Sequence, residues 1–230
     1  MSDIKFNANY YGGNGQSDDR FALLWYARLF KRLISKEATV LDFGAGTGHL
    51  AKRLPQPSHA YEINTFALSQ IQTNSPSSVS FDNLDFLTNK ANHYNGIISI
   101  HVFEHLTDSE ISSTLKVFNT ILKPNGKVLI STPALLGRAH QVKGKNWIGF
   151  VDPTHINLKS SSQWIQIFEA NDFRVLRKFS DGFYDYPYRH FWSATNLFFA
   201  ICTIVNLVFA PRFLRVNQGE TNIFIIEKSH

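Results

Sequence analysis

Three alternating glycines behind one carboxylate form the stretch whose chemistry is most specific. The glycines are Gly44, Gly46 and Gly48. Asp42 stands two residues before the first of them, and an apolar run ending at Leu41 precedes it. A strand, a glycine-rich turn and a helix N-terminus together form a nucleotide-sized cradle at the end of a parallel sheet. A dinucleotide fingerprint has the spacing G-x-G-x-x-G and faces a pyrophosphate. The spacing G-x-G-x-G and the leading carboxylate instead favour a ligand with a cationic amino-acid end.

Two histidines are the candidates for acid-base chemistry. His101 directly follows the apolar run Tyr94–Ile100, and His155 ends the sequence Asp-Pro-Thr-His within the long connection 133–160. Long connections in compact domains tend to be functional. Because histidine titrates near neutral pH, either side chain could take a proton from a hydroxyl nucleophile.

The segment His101-Val-Phe-Glu-His105 also matches a zinc-peptidase signature. In that signature both histidines must share one face of a helix. The pattern Thr107-Asp-Ser-Glu110 is typical of a capping box, which places the start of the next helix after both histidines. This placement disfavours the zinc-peptidase interpretation, and we expect no metal site.

The stretch Asp42–Gly48 resembles the first motif of class I S-adenosylmethionine-dependent methyltransferases. The strand end at His101 with its Glu-His-Leu turn resembles their fourth motif, and the turn Leu122-Lys-Pro-Asn-Gly126 is frequent in the same family. The resemblance extends over most of the chain. It implies S-adenosylmethionine as cofactor, S-adenosyl-L-homocysteine as product, and no metal.

The resemblance also implies a set of cofactor contacts. Glu62 ends a predicted strand, where its carboxylate would accept hydrogen bonds from both ribose hydroxyls. Asp85, with Asp82 as competitor, would contact the adenine amino group while Phe86 packs on the ring. Tyr11 would fold over the cofactor, since aromatic faces attract cations such as a sulfonium. The full cofactor-binding set is Asp42, Gly44, Gly46, Gly48, Glu62, Ile63, Asp85, Phe86, His101, Phe103 and Tyr11.

The roles of the residues after the fourth strand also follow from the resemblance. His101 and Phe103 would lie beside the transferable methyl group, while His105 would be a structural turn residue. His155 and His101 are the catalytic candidates, and the sequence leaves open which of them accepts the proton.

The elements that position these residues alternate between apolar strands and helices. Five strand–helix units in succession predict an α/β fold with a doubly wound parallel sheet. The resemblance implies a Rossmann-like, mostly parallel sheet of seven strands whose last strand, 222–227, is antiparallel. We also expect a helix from Ser17 to Ile34, a helix directly after the glycine turn, and a fifth strand over 128–132.

We expect one methyltransferase domain over residues 1–230. Its predicted parts are an N-terminal cap (1–35), a cofactor-binding core (36–180), an apolar insertion (181–220) and a closing strand (221–230).

Composition limits the class of protein and its partners. The chain has 230 residues, is 43% hydrophobic and carries a formal charge of +5, so it can bury a sizeable core. It has no lysine- and arginine-dense arm, so we expect no nucleic-acid partner. A single cysteine, Cys202, is typical of a reducing compartment, and the N-terminus lacks the apolar core of a secretory signal. We therefore expect a cytoplasmic location.

The uncharged run Phe191–Ala210 is about long enough to cross a bilayer. A single crossing would separate the closing strand from its sheet, so we expect this run to lie against an apolar surface. That surface would be a membrane, a second subunit in contact with residues 190–215, or the core of the domain.

The sequence thus predicts methyl transfer to a small-molecule, glycan or lipid-linked acceptor, at a hydroxyl oxygen. Its 14% aromatic content and the apolar run favour such an acceptor over a soluble peptide. The alternatives are an NAD-dependent oxidoreductase and a catalytically silent module that keeps the fold as a scaffold.

Overall fold

The computed structural model describes residues 10–11, 20–181, 201, 205 and 214–229. Its strands are β1 Val40–Phe43, β2 His59–Tyr61, β3 Val79–Phe81, β4 Tyr94–Ile100, β5 Leu122–Pro133, β6 Phe173–Ser180 and β7 Thr221–Lys228. Its helices include α1 Phe21–Lys31, α2 Thr65–Asn74, α3 Leu84–Thr88, α4 Asp108–Ile121, α5 Arg138–Lys143, α6 Ile148–Val151 and α7 Ser161–Ala170. The apolar run 191–210 lies outside the described residues, except for residues 201 and 205.

The described strands form one seven-stranded sheet in the order β3-β2-β1-β4-β5-β7-β6. Strand β1 pairs in parallel with β2 and β4, and β2 pairs in parallel with β3. Strand β7 is antiparallel to β6. The predicted doubly wound α/β sheet with an antiparallel last strand is confirmed.

The chain divides into two compact units. The first comprises residues 1–100, 113–129 and 230, and the second comprises residues 101–112 and 130–229. In the first unit, strand β1 is buried along its whole length. Helix α1 packs on β4, where a Cβ on Gly96 would lie 2.7 Å from Phe30 Cζ and 2.9 Å from Ile34 Cγ2. The absence of a side chain at Gly96 therefore lets α1 approach the sheet closely.

Two helices begin with capping boxes, and the one predicted at Thr107 is confirmed. The Thr107 backbone N–H donates to Glu110 Oε2 at 2.7 Å, and the Glu110 N–H donates to Thr107 Oγ1 at 3.4 Å. Ser160 and Gln163 form the same reciprocal pair at the start of α7. Because α4 begins at Asp108, both histidines of the His-x-x-Glu-His segment precede it, and they do not share a helix face.

Three predicted elements differ from the structure. The glycine turn leads into a short 3-10 turn, Ala51–Arg53, and not into a helix, because Pro55 holds Leu54 extended with ψ 167°. Strand β5 begins at Leu122 and includes the predicted turn, where Asn125 takes a φ of 63°. The connection 133–160 contains α5, α6 and a 3-10 turn.

No helix within the described residues is both long enough and apolar enough to cross a bilayer.

Candidate functional site

The glycine turn after β1 has a backbone that only glycine adopts without strain. Gly44, Gly46 and Gly48 have φ angles of 75°, 53° and 85°. The Gly44 N–H donates to the carbonyl oxygen of Tyr61 at 2.9 Å, which ties the turn to the end of β2. A Cβ on Gly48 would lie 3.1 Å from the Cα of Ile71, so α2 lies directly against the turn. The turn is therefore a tight backbone cradle, as the sequence predicted.

Asp42, within β1, carries a buried carboxylate with an unsatisfied oxygen. It is 1% exposed, and its Oδ2 has no hydrogen-bond partner. Burial, with a smaller contribution from the negative charge of Glu62, raises the pKa of Asp42 to about 8. A buried acceptor without a partner costs free energy unless a ligand satisfies it. A bound cation would satisfy it, so Asp42 fits a ligand with a positively charged end.

Glu62 follows β2 and holds the glycine turn in place. Its Oε2 accepts the Gly46 N–H at 2.8 Å, and its Oε1 accepts the N–H groups of Ile63 and Asn64, each at 2.9 Å. Burial raises the pKa of Glu62, although these N–H donors act against the shift. A carboxylate has about four acceptor positions, and three are used here. One acceptor position remains, so Glu62 can order the turn and still accept one ligand hydroxyl, where the resemblance implied two.

Tyr11 packs over the same turn. A Cβ on Gly46 would lie 3.8 Å from the Tyr11 ring, whose centroid is 5.9 Å from that of Phe66. Burial and then the charge of Glu62 raise the pKa of the Tyr11 hydroxyl. The structure thus brings Tyr11, Glu62 and the glycine turn together, while a contact of Tyr11 with the cofactor stays a prediction.

The residues expected at the adenine end are exposed. Asp82 and Asp85 are both exposed, and Asp85 lies in α3, where its N–H donates to Asn83. The Phe86 ring is 40% exposed, and its centroid lies 4.6 Å from that of Phe81. Ile63 is also largely exposed. These side chains are accessible to a ligand.

A histidine and tyrosine pair beside Phe81 and Phe86 was missed by sequence reasoning. His59 Nδ1 lies 2.6 Å from the hydroxyl of Tyr94, and the His59 ring lies 6.1 Å from Phe81 and 6.3 Å from Phe86. Burial, together with nearby Lys90 and His93, lowers the pKa of His59 to about 4. A neutral imidazole therefore belongs to this aromatic cluster, and no local sequence pattern signalled it.

In the second unit, His101 and Glu104 form a hydrogen-bonded pair at the end of β4. His101 Nδ1 lies 2.9 Å from Glu104 Oε1, and His101 Nε2 lies 3.4 Å from the hydroxyl of Thr221. The His101 side chain is 29% exposed, whereas that of Glu104 is fully buried. Burial raises the pKa of Glu104, but the His101 hydrogen bond and the charges of His101, His105 and His155 lower it overall. His101 also has a φ of 57°, a left-handed backbone that is uncommon outside glycine.

Phe103 belongs to a buried aromatic cluster of the second unit. Its side chain has no solvent exposure, and its ring centroid lies 6.1 Å from that of Trp164 and 6.5 Å from that of Phe168. These contacts account for an aromatic residue at this position through packing alone. Its predicted place beside the methyl group stays a prediction.

His155 lies in a polar cluster of the second unit. Its side chain is 7% exposed, its Nε2 lies 3.8 Å from Asp152 Oδ2, and its ring centroid lies 4.8 Å from that of His105. His105 Nδ1 in turn contacts the carbonyl oxygen of Thr154 at 3.1 Å. The Ile156 N–H donates to the carbonyl oxygen of Glu104 at 3.0 Å, so the His155 segment is attached to the turn after β4.

Comparison with known proteins gives one family throughout. The family model of a methyltransferase domain matches residues 16–178. An uncharacterized methyltransferase of Anoxybacillus flavithermus is 28% identical over 138 residues, which are 58% of this chain and 64% of that protein. One from Oceanobacillus iheyensis is 32% identical over 95 residues, which are 39% of this chain and 44% of that protein. The matches thus span less than two thirds of these relatives.

Solved structures agree on the fold. A SAM-dependent methyltransferase from Archaeoglobus fulgidus superposes with a TM-score of 0.67 at 18% identity, covering 96% of this chain and all of that one. A TehB-like SAM-dependent methyltransferase from Corynebacterium glutamicum gives a TM-score of 0.62 at 13% identity, covering 97% of this chain and 100% of that one. At such identities the likeness shows the fold alone.

Proposed function

The chain belongs to the methyltransferase domain family and has the class I fold of S-adenosylmethionine-dependent methyltransferases. We propose that it uses S-adenosylmethionine to methylate a small-molecule, glycan or lipid-linked acceptor at a hydroxyl oxygen. The observation that carries the proposal is the buried carboxylate of Asp42, whose Oδ2 lacks a partner just before the glycine turn. When bound, S-adenosylmethionine would supply a methyl group carried on a sulfonium, whose carbon a nucleophile attacks in line with the departing sulfur.

Asp42 and Glu62 have complementary roles in this proposal. Asp42 receives the cationic amino-acid end of the cofactor, and a charged partner favours its ionised form. Glu62 fixes the turn through Gly46 and accepts a ribose hydroxyl with its remaining acceptor position. An NAD-dependent oxidoreductase fits less well, because a carboxylate ahead of the turn would repel a pyrophosphate.

His101 is the better supported of the two candidate bases. A carboxylate only accepts hydrogen bonds, so Glu104 Oε1 holds the proton on His101 Nδ1 and makes Nε2 the proton acceptor. With the cofactor bound, His101 Nε2 would take the proton of the acceptor hydroxyl as its oxygen is methylated. Glu104 then stabilises the resulting imidazolium. His155 is less accessible and has its polar contacts within its own cluster.

Exposed apolar side chains support an apolar or lipid-linked acceptor. Five large ones belong to the segment that holds α5 and α6: Leu136, Val142, Phe150, Val151 and Ile156. We further propose that residues 190–215 add a peripheral membrane contact or a second subunit. Flotation of the protein with anionic liposomes, released by alkaline carbonate, would support the membrane contact, and a monomer that never floats would refute both.

Transfer of a radiolabelled methyl group from S-adenosylmethionine into fractionated cell extract tests the proposal. We expect time-dependent label in the small-molecule, glycan or lipid fraction, which mass spectrometry then places on an oxygen. Label in protein or nucleic acid would contradict the acceptor class. Cofactor binding without label in any fraction would identify a catalytically silent module instead.

A further inference from the structure

We propose that Glu104, His105 and His155 form a binding site for a divalent transition-metal ion of the Zn²⁺ class. Each side chain offers one ligand atom, and these atoms all lie within 4.8 Å of one another. Two imidazoles and one carboxylate are a ligand set that suits such an ion. The site lies wholly within the second unit, and the inference does not depend on methyl transfer.

The spacing is compatible with a metal after a small adjustment. Zn²⁺ binds nitrogen and carboxylate oxygen at about 2.0–2.2 Å, so tetrahedral ligand atoms lie about 3.4 Å apart. Ligand atoms up to 4.8 Å apart would close by roughly 1.4 Å at most, each moving by less than that toward a common centre. Rotation of the side chains can supply such a movement.

The two histidines are held as metal-binding histidines are held. His105 Nδ1 lies 3.1 Å from the carbonyl oxygen of Thr154, and His155 Nδ1 lies 3.1 Å from that of Gly149. A carbonyl oxygen only accepts, and the Thr154 hydroxyl, 3.0 Å from His105 Nδ1, donates its proton to Asp152 Oδ1. Both Nδ1 atoms therefore carry the proton, and the neutral rings have their lone pair on Nε2. Backbone carbonyls commonly fix the tautomer and the orientation of metal-binding histidines in this way.

An independent observation points to a ligand at the same place. The Glu104 carboxylate has no solvent exposure, and its Oε2 has no hydrogen-bond partner. Its other oxygen, Oε1, is used by His101. A buried carboxylate oxygen without a partner is costly, and a cation would satisfy it. The carboxylate of Asp152, 3.8 Å from His155 Nε2, adds further negative charge.

The donor set also selects the kind of cation. Mg²⁺ and Ca²⁺ take mainly oxygen ligands, in larger number than this cluster offers. Imidazole nitrogen favours Zn²⁺, Fe²⁺, Ni²⁺ or Cu²⁺, with affinity rising along the Irving–Williams order. Three protein ligands leave a further position on the ion. The ion would cross-link the turn Phe103–His105 to the segment around α6, from which Gly149 and His155 come.

Metal titration of the untagged, metal-free 230-residue chain tests the site. We expect one Zn²⁺ per chain in competition with a chromophoric chelator, visible absorption bands with Co²⁺, and a higher Tm with Zn²⁺ than with Mg²⁺. His155→Ala removes a ligand, so it should weaken Zn²⁺ binding by more than the roughly 10- to 100-fold that is typical when a residue hydrogen-bonded to a ligand is replaced. His140→Ala is the matched control, because His140 stacks on Trp147 in the same unit but outside the cluster.

The isosteric variant Glu104→Gln repeats the test without opening a cavity, should His155→Ala not fold by circular dichroism. Loss of Zn²⁺ and Co²⁺ binding in the cluster variants, with binding retained in His140→Ala, supports the site. Absence of stoichiometric binding by the unmodified chain would overturn it. Equal affinity of the unmodified chain and the folded cluster variants would overturn it too.

Discussion

Replacing Asp42 with asparagine should stabilise the protein without cofactor and weaken its cofactor binding. The carboxylate is buried, and burial raises its pKa from 3.8 to about 8. Because the folded pKa is raised, the folded state holds a proton that the unfolded chain loses. The contribution of Asp42 to the free energy of unfolding is therefore most favourable below about pH 4 and falls as pH rises toward 8.

The magnitude follows from the same shift. Each pH unit between the unfolded pKa of 3.8 and pH 7 costs about 1.4 kcal/mol, or on the order of 4 kcal/mol in all. An amide does not ionise, so Asp42→Asn recovers part of this cost. We expect a gain on the order of 1–3 kcal/mol, because the buried amide leaves polar atoms unsatisfied. Loss of a charged hydrogen-bond partner should weaken S-adenosylmethionine binding by about 10- to 100-fold.

Urea unfolding of both proteins from pH 5 to 8 measures the first effect, and calorimetry measures the second. Glu37→Gln, which changes an exposed carboxylate, is the matched control. The reasoning would be refuted if Asp42→Asn were less stable than the unmodified chain at pH 7, or if the two proteins shared the same dependence on pH.

Three further substitutions test the site at separate points. Gly48→Ala should cost at least about 1–2 kcal/mol in urea unfolding from its left-handed backbone alone. Because a Cβ on Gly48 would also lie 3.1 Å from the Cα of Ile71, the full cost should exceed that figure, and a cost below about 1 kcal/mol would contradict the close approach of α2. Glu62→Gln should weaken S-adenosyl-L-homocysteine binding about tenfold or more by calorimetry; unchanged affinity in a folded variant would remove Glu62 from the site. His101→Gln should cut turnover on the labelled acceptor on the order of 10²-fold or more with near-normal cofactor affinity, whereas His140→Gln should not, and full turnover in His101→Gln would refute its role as base.

Local patterns predicted the framework well. The glycine turn behind Asp42 and the two capping boxes depend on residues within a few positions of one another, which a sequence shows directly. The short turn in place of a helix after Gly48 was also local, since Pro55 restricts Leu54. The spacing of Leu50, Ala51 and Leu54 predicts a helix, but the proline directly after Leu54 prevents it.

Tertiary contacts account for most of what the sequence did not show. His105 and His155 are 50 positions apart, and only the fold brings their rings to 4.8 Å. The unpartnered oxygens of Asp42 and Glu104 depend on everything packed around them. The buried aromatic neighbours of Phe103, Trp164 and Phe168, come from α7, some 60 positions later in the chain. Burial and long-range pairing are set by the whole chain, so no short pattern predicts them.

The most direct test of the central claim is calorimetric titration of the purified 230-residue chain with S-adenosylmethionine and, separately, with NAD. We expect one S-adenosylmethionine per chain, weaker binding in Asp42→Asn, and no binding of NAD. Saturable binding of NAD with none of S-adenosylmethionine would contradict the account.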